Sequence, residues 1–325
     1  MGISSNYWVL LLGIALQSVH SQEGLSNGYY SSSCPEAESI VRSTVEYHFK
    51  NDPSIAPALL RLHFHDCFVQ GCDGSVLITG SSSERSAFPN LGLRGFQVIE
   101  DAKSQLELSC PGVVSCADIV ALAARDAVDL SDGPSWKVPT GRRDGRISSS
   151  SQVTSSLPSP LDSVYVQRQK FAAKGLDDHD LVTLVGAHTI GKTDCRFFKY
   201  RLYNFTRTGN SDPTINQPFL AQLKSVCPQN GDGLNEVPLD KDTPDKFDVS
   251  FFKNLRDGTG VLESDQRLWD DAATREVVRK YAGTFRGLLG LRFDHEFSQA
   301  MIKMSSIEVK TGYEGEIREV CYKFN

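Results

Sequence analysis

Pro57-Ala58-Leu59-Leu60-Arg61-Leu62-His63-Phe64-His65-Asp66-Cys67 is the densest run of chemically capable side chains in the sequence, and its secondary structure decides the fold class. As a strand, Leu60, Leu62 and Phe64 would be buried while Arg61, His63 and His65 shared the other face, giving a two-histidine metal site. As a helix, His63 and His65 lie about 200° apart and cannot serve one ion, whereas Arg61 and His65 project from the same face. The helix is favoured, because Asp52-Pro53-Ser54 offers a cap with proline in the first turn, and Pro57 is still tolerated near the start. An arginine and a histidine converging on one cavity pair a fixed cation with a base, the equipment for splitting a peroxide bond heterolytically. Taken alone, the segment favours a plainer reading, a hydrogen-bonded core His65 beside a surface Arg61.

A second constellation runs from Asp177 to Gly191. Asp177, Asp178 and Asp180 suit the positive N-terminal end of a helix, and Gly191 is placed to end it. Leu181, Leu184, Val185 and His188 fall on one face, so His188 is expected to face the core; by itself that marks a satisfied core histidine more readily than a metal ligand. Ala117 to Leu130, Arg275 to Leu289 and Phe297 to Ile307 show helical spacing too, with Met301 and Met304 read as core packing. Period-two runs are scarce, so a mainly α fold is predicted. The Ser-rich stretch Ile147 to Pro160 reads as a linker, and Cys227 to Asp248 as a long irregular loop.

Trp8 to Leu16 is an apolar run much shorter than the roughly 20 residues that span a bilayer, and Gln17 to Ser21 follows it. Residues 1–21 read as a signal peptide cleaved after Ser21, although Met1 to Asn6 carries no Lys or Arg. What remains of the 325 residues suits two lobes, 22–160 and 161–325, the second ending in a C-terminal helix whose Cys321 returns to the first. A formal charge of −6 without any basic block argues against nucleic acid, and no further segment is long and apolar enough to cross a membrane. Eight cysteines, all beyond the signal segment, suggest four disulfides in an oxidising compartment. Spacing leaves about 105 connectivities open, with only Cys67 and Cys72 suggesting each other. No CxxC pair supports the competing zinc reading.

The blocks Arg61 to Ser75, Val114-Ser-Cys116-Ala-Asp118, Gly133-Pro-Ser-Trp136, Gly141-Arg-Arg-Asp144, Val185-Gly-Ala-His188-Thr-Ile-Gly191 and Ser264-Asp265-Gln266 resemble, in order, the signature blocks of secretory plant peroxidases, the class III haem peroxidases. The likeness runs from about Gly28 to Cys321. It implies a two-lobed helical fold with one haem b between the lobes and His188 as axial ligand. Asp265 would hydrogen-bond the other nitrogen of His188. Opposite them, His65 would be the acid/base, Arg61 the cation, and Asn90 the group orienting His65.

The same resemblance implies two calcium ions. Asp66, Asp73 and Ser75 with the carbonyls of Val69 and Gly71 match one site; Thr189, Asp240, Thr243 and Asp248 with the carbonyl of Lys246 match the other. Their donors also suit ordinary solvated acidic turns. It further implies the pairs Cys34–Cys110, Cys67–Cys72, Cys116–Cys321 and Cys195–Cys227. Pro158, Phe88 and Phe197 match positions near the exposed haem edge, where small phenolic or other aromatic donors would give one electron at a time to an enzyme reducing hydrogen peroxide. Asn204-Phe205-Thr206 is an N-glycosylation sequon. The short tail after Cys321 points to the apoplast or cell wall, and a monomer is expected. Two other classes compete: a secreted, disulfide-stapled binding protein that kept this fold without turnover, and the strand-based two-histidine metalloprotein.

Overall fold

The computed structural model describes residues 24–283 and 286–325. Residues 1–21, expected to be a signal peptide, lie outside them. The chain forms α1 (Ala37–Asn51), α2 (Ile55–Val69), α3 (Phe96–Ser109), α4 (Cys116–Leu130), α5 (Ser150–Ser156), α6 (Val164–Ala173) and α7 (Asp178–Val185). There follow α8 (Lys199–Tyr203), α9 (Gln217–Val226), α10 (Ser250–Arg256), α11 (Glu263–Asp270), α12 (Ala272–Tyr281) and α13 (Arg286–Met304). The only named strands among the described residues, β1 (Lys192–Asp194) and β2 (Glu236–Pro238), pair antiparallel with Thr193 opposite Val237. The mainly α reading holds, and Pro57 to Cys67 lies wholly within α2.

Alanine decides the packing on one side. α4 is buried on every face from Cys116 to Val128, and its small side chains let α1 and α2 lie close against it. Its first turn is capped by the Ser115 hydroxyl, which accepts from the Asp118 amide at 3.1 Å. On the other side α7, α10, α12 and α13 pack on one another, and Asp177 and Asp180 close a reciprocal capping box at the start of α7. One core runs from Tyr30 to Cys321 and draws on both sides of Pro160; a smaller one gathers Phe198, Leu202, Phe219 and Leu223 around α8 and α9. The four disulfides join the pairs named above.

Several boundaries differ from expectation. The helix expected over Arg275 to Leu289 stops at Tyr281, where the cap Ala282 is followed by Gly283, a poor helix former; residues 284–285 of that stretch lie outside the described residues, and α13 begins at Arg286. α13 is a single helix to Met304, with Met301 and Met304 buried in the core. The expected linker contains α5, anchored by buried Val153. Cys321 sits not on a helix but on an irregular tail, which pairs Lys310 with Arg143 and Glu316 with Asp144 on its way back to Cys116. The Asp177 to Gly191 helix gives way after Val185 to a 3₁₀ turn, Gly186–Thr189.

Candidate active site

α2 sets Arg61 and His65 one turn apart, and the Arg61 Nε–H points at His65 Nε2 at 3.2 Å. A second guanidinium nitrogen donates to the Pro89 carbonyl at 3.0 Å, which holds the cation in place. Asn90, on the 3₁₀ turn Phe88–Asn90, donates from Nδ2 to the Glu84 carbonyl at 2.8 Å. Its Oδ1 is thereby turned to accept from His65 Nδ1–H at 2.7 Å, and the Nε2 lone pair of His65 remains the basic one. Burial first, and then the Arg61 charge, push His65 down to about 3 against the opposing Asn90 bond. It is therefore a neutral imidazole across the physiological range.

His63 does not share this space. Its Nε2 meets the Ser305 hydroxyl at 2.7 Å beyond the end of α13, and burial, followed by Arg142, pushes it down to about 3. The two-histidine strand site falls on this geometry.

His188 lies on the 3₁₀ turn after α7. Its Nδ1–H donates to the buried Asp265 carboxylate at 2.9 Å. Burial pulls the imidazole down, but the Asp265 charge and hydrogen bond outweigh it and the net shift is upward. Asp265 is itself fixed through its helix: Gln266 donates to the Leu255 carbonyl at 2.8 Å, and Gln167 to the Ser264 carbonyl at 3.1 Å. The Arg61 charge also acts on His188, and a Cβ on Gly191 would stand 3.0 Å from Pro57 of α2, so the two histidine-bearing elements adjoin.

Behind His188, the β1–β2 ribbon brings the residue after the histidine to the second acidic loop. The Thr189 hydroxyl lies 3.1 Å from Asp240 Oδ2 and 3.4 Å from the Lys246 carbonyl. Thr243 Oγ1 lies 3.1 Å from Asp248 and 3.4 Å from Asp240. Two carboxylates, two hydroxyls and a carbonyl thus converge, an all-oxygen set suited to calcium.

In the loop closed by Cys67 and Cys72, Asp66 accepts from the Gly74 amide at 2.9 Å, and Asp73 meets Lys310 Nζ at 2.6 Å. Lys174 reaches the Val69 carbonyl at 3.3 Å. Burial, then Asp73, raises Asp66; burial, then Asp66, pushes Glu84 up to about 9. Both Glu84 carboxylate oxygens and the Ser75 hydroxyl are buried without hydrogen-bond partners. Such crowded, underpaired acid fits a divalent cation. Among the described residues no three His, Cys, Asp or Glu side chains cluster tightly enough to hold a metal by themselves, so either calcium set depends on hydroxyl and carbonyl oxygens.

Phe88 shares the 3₁₀ turn of Asn90 and is 74% exposed; Pro158 and Phe197 are half-buried, with Arg196 over the Phe197 ring. Asn204 is exposed. Sequence reading missed Glu84 and Lys310. Glu84 holds Asn90 through its carbonyl, a backbone role that leaves no residue-type signal, and Lys310 reaches Asp73 only through the returning tail.

The "Peroxidase" family model matches residues 41–284. The chain belongs to the peroxidase family. Peroxidase 25 of Arabidopsis thaliana is 71% identical over 317 residues, covering 98% of this chain and 95% of that relative. Peroxidase N1 of Nicotiana tabacum is 57% identical over 317 residues with the same coverage, and Peroxidase 71 of Arabidopsis is 52% identical over 337 residues, spanning 100% of both. This peroxidase is accordingly an oxidoreductase that reduces hydrogen peroxide at the expense of reducing donors, in a family that works with haem and calcium. No helix among its described residues is long and apolar enough to cross a membrane.

Proposed function

We propose that this peroxidase would hold one haem b between the lobes 22–160 and 161–325 through His188 Nε2, with Asp265 strengthening that nitrogen as a donor. The bound haem would supply the two electrons that cleave the peroxide oxygen–oxygen bond. His65 Nε2 takes a proton from the near peroxide oxygen and returns it to the departing oxygen, which leaves as water. The Arg61 guanidinium stabilises the negative charge on that oxygen. Asn90 keeps His65 in the tautomer with Nε2 free, and two one-electron donors complete the turnover. The observation that carries the reading is the chain Asn90 Oδ1 to His65 Nδ1–H at 2.7 Å with Arg61 at Nε2, together with a second histidine whose Nδ1–H is taken by Asp265.

Two calcium ions would sit among Asp66, Val69, Gly71, Asp73 and Ser75, and among Thr189, Asp240, Thr243, Lys246 and Asp248. Small phenolic or other aromatic molecules would give electrons near Phe88, Pro158 and Phe197. A secreted monomer of the apoplast or cell wall, cleaved after Ser21 and glycosylated at exposed Asn204, fits the four disulfides. The test is an absorption spectrum of the haem-loaded protein before and after hydrogen peroxide, for the parent and for His188→Ala. A peroxide-responsive haem band is expected in the parent, with loss of haem or of its axial ligand in the variant. A variant with full haem and an unchanged spectrum removes the His188 assignment.

A further inference from the structure

Tyr281, the last residue of α12, is wholly buried yet far from idle in its contacts. Its hydroxyl donates to Glu296 of α13 at 2.6 Å, and the Thr183 hydroxyl of α7 meets the phenol oxygen at 2.8 Å. His179 Nε2 stands 3.3 Å from the same oxygen and also pairs with Glu296 at 3.3 Å. Burial and the Glu296 bond push the phenol well above its usual range, so it stays protonated and cannot lose an electron cheaply unless its proton leaves with it. Glu296 stands ready to take that proton. Its own burial is outweighed by the hydrogen bonds from Tyr281 and Arg292, which keep it ionised.

The ring itself is joined to the haem side of the molecule by aromatic contacts. His188 and Phe251 have ring centroids 5.9 Å apart, Phe251 and Phe252 5.5 Å, and Phe252 and Tyr281 4.7 Å. Gly186, in the turn that carries His188, keeps this array tight: a Cβ there would stand 2.6 Å from Phe252 and 2.8 Å from Phe293. A structural tyrosine needs one hydrogen-bond partner. This one has a carboxylate acceptor, a hydroxyl donor and an imidazole, at the end of a row of edge-on and tilted rings that begins at the candidate axial ligand.

We propose that Tyr281 is an internal one-electron donor to the peroxide-oxidised haem, with Glu296 as the acceptor of its proton. The proposal rests on the haem peroxidase reading above. One electron passes from the phenol through Phe252, Phe251 and His188 to the oxidised haem, which is reduced by one equivalent. The phenol O–H bond breaks, the proton moves to the Glu296 carboxylate, and a neutral tyrosyl radical remains. An external aromatic donor then returns the electron, and Glu296 returns the proton. An oxidising equivalent with no donor at hand is thus stored on one defined residue.

The experiment uses the haem-loaded enzyme mixed with hydrogen peroxide, without donor, and freeze-quenched for electron paramagnetic resonance while the haem band is followed in parallel. A tyrosyl signal that changes its hyperfine structure with ring-deuterated tyrosine is expected in the parent. Tyr281→Phe, which keeps the ring packing, should abolish it and slow the donor-free return of the haem to rest severalfold. Glu296→Gln, which keeps the shape but not the base, should lower the radical yield, and it tests the proton acceptor even if the phenylalanine variant folds poorly. The same tyrosyl signal in Tyr281→Phe, or no tyrosyl signal in a parent whose haem band responds to peroxide, overturns the proposal alone. An undiminished yield in Glu296→Gln overturns the role of Glu296. A haem band that ignores peroxide overturns the functional reading as well.

Discussion

Replacing Asn90 by valine isolates the tautomer argument from everything else at the site. The side chain lies beside the candidate base but contributes no proton and no charge, and its Oδ1 accepts the 2.7 Å bond from His65 Nδ1–H. Valine leaves that N–H buried and unpaired in the tautomer whose Nε2 is free. An orphaned buried donor costs about 1 to 3 kcal/mol. Spent on the reactive tautomer, that penalty lowers the second-order rate of the first peroxide-dependent change in the haem band by about 5-fold to 150-fold. Haem binding should not change, because His188 and Asp265 are untouched. Asn90→Asp is the control: it keeps the acceptor, so the tautomer survives and most of the rate at neutral pH with it. Its negative charge should raise the His65 pKa, so that activity falls off at a higher pH than in the parent. The assay is stopped-flow absorbance over a series of peroxide concentrations. A valine variant at the parent rate, or an aspartate variant as slow as valine at neutral pH, refutes the reasoning.

His65→Ala should slow the same step by about 10²-fold to 10⁴-fold and Arg61→Ala by about 10²-fold to 10³-fold, since the first loses a proton carrier and the second only charge stabilisation; a histidine variant near the parent rate removes the assignment of His65. Prolonged chelation of calcium should shift the haem spectrum and lower thermal stability together, because Thr189 adjoins His188 and lies 3.1 Å from Asp240, and restored calcium should return both in part. An elemental analysis of folded protein without calcium ends that reading. His63, held down to about 3 in the fold against 6.5 when exposed, stays neutral while the unfolded chain takes up a proton. Stability from this residue is whole above pH 6.5 and is lost as pH falls toward 3, by up to about 1.4 kcal/mol per pH unit. Denaturation curves of the parent and His63→Gln should therefore converge as the pH is lowered; a constant gap would refute it.

What the sequence determines by itself is local. The choice between helix and strand for Pro57 to Cys67 turns on a four-residue repeat that acts within one or two turns, and α2 places Arg61 and His65 together as that periodicity requires, although the expected cap is not made: Pro53 precedes the helix and the Ser54 side chain at its N-cap makes no capping bond. The same holds for the α7 capping box and for the alanines of α4. Role is different. His188 and His63 are both histidines on apolar segments, and only the folded chain gives one an aspartate 77 residues away and the other a serine 242 residues away.

The helix expected beyond Tyr281 shows the same limit. Its spacing continues, but the helix ends at Tyr281, and the packing of α13 on α12 sets Glu296 against the Tyr281 phenol. Asn90 follows a proline and Glu84 lies in a serine-rich loop, and neither carries a residue-type signal of its own. Their contacts arise because the Glu84 carbonyl, the Asn90 amide and the His65 imidazole meet among buried residues. Periodicity reports which way a side chain faces along its own element. The partner it meets there is set by how distant elements pack, and it is that partner which decides whether a buried polar group is a base, a ligand or part of the core.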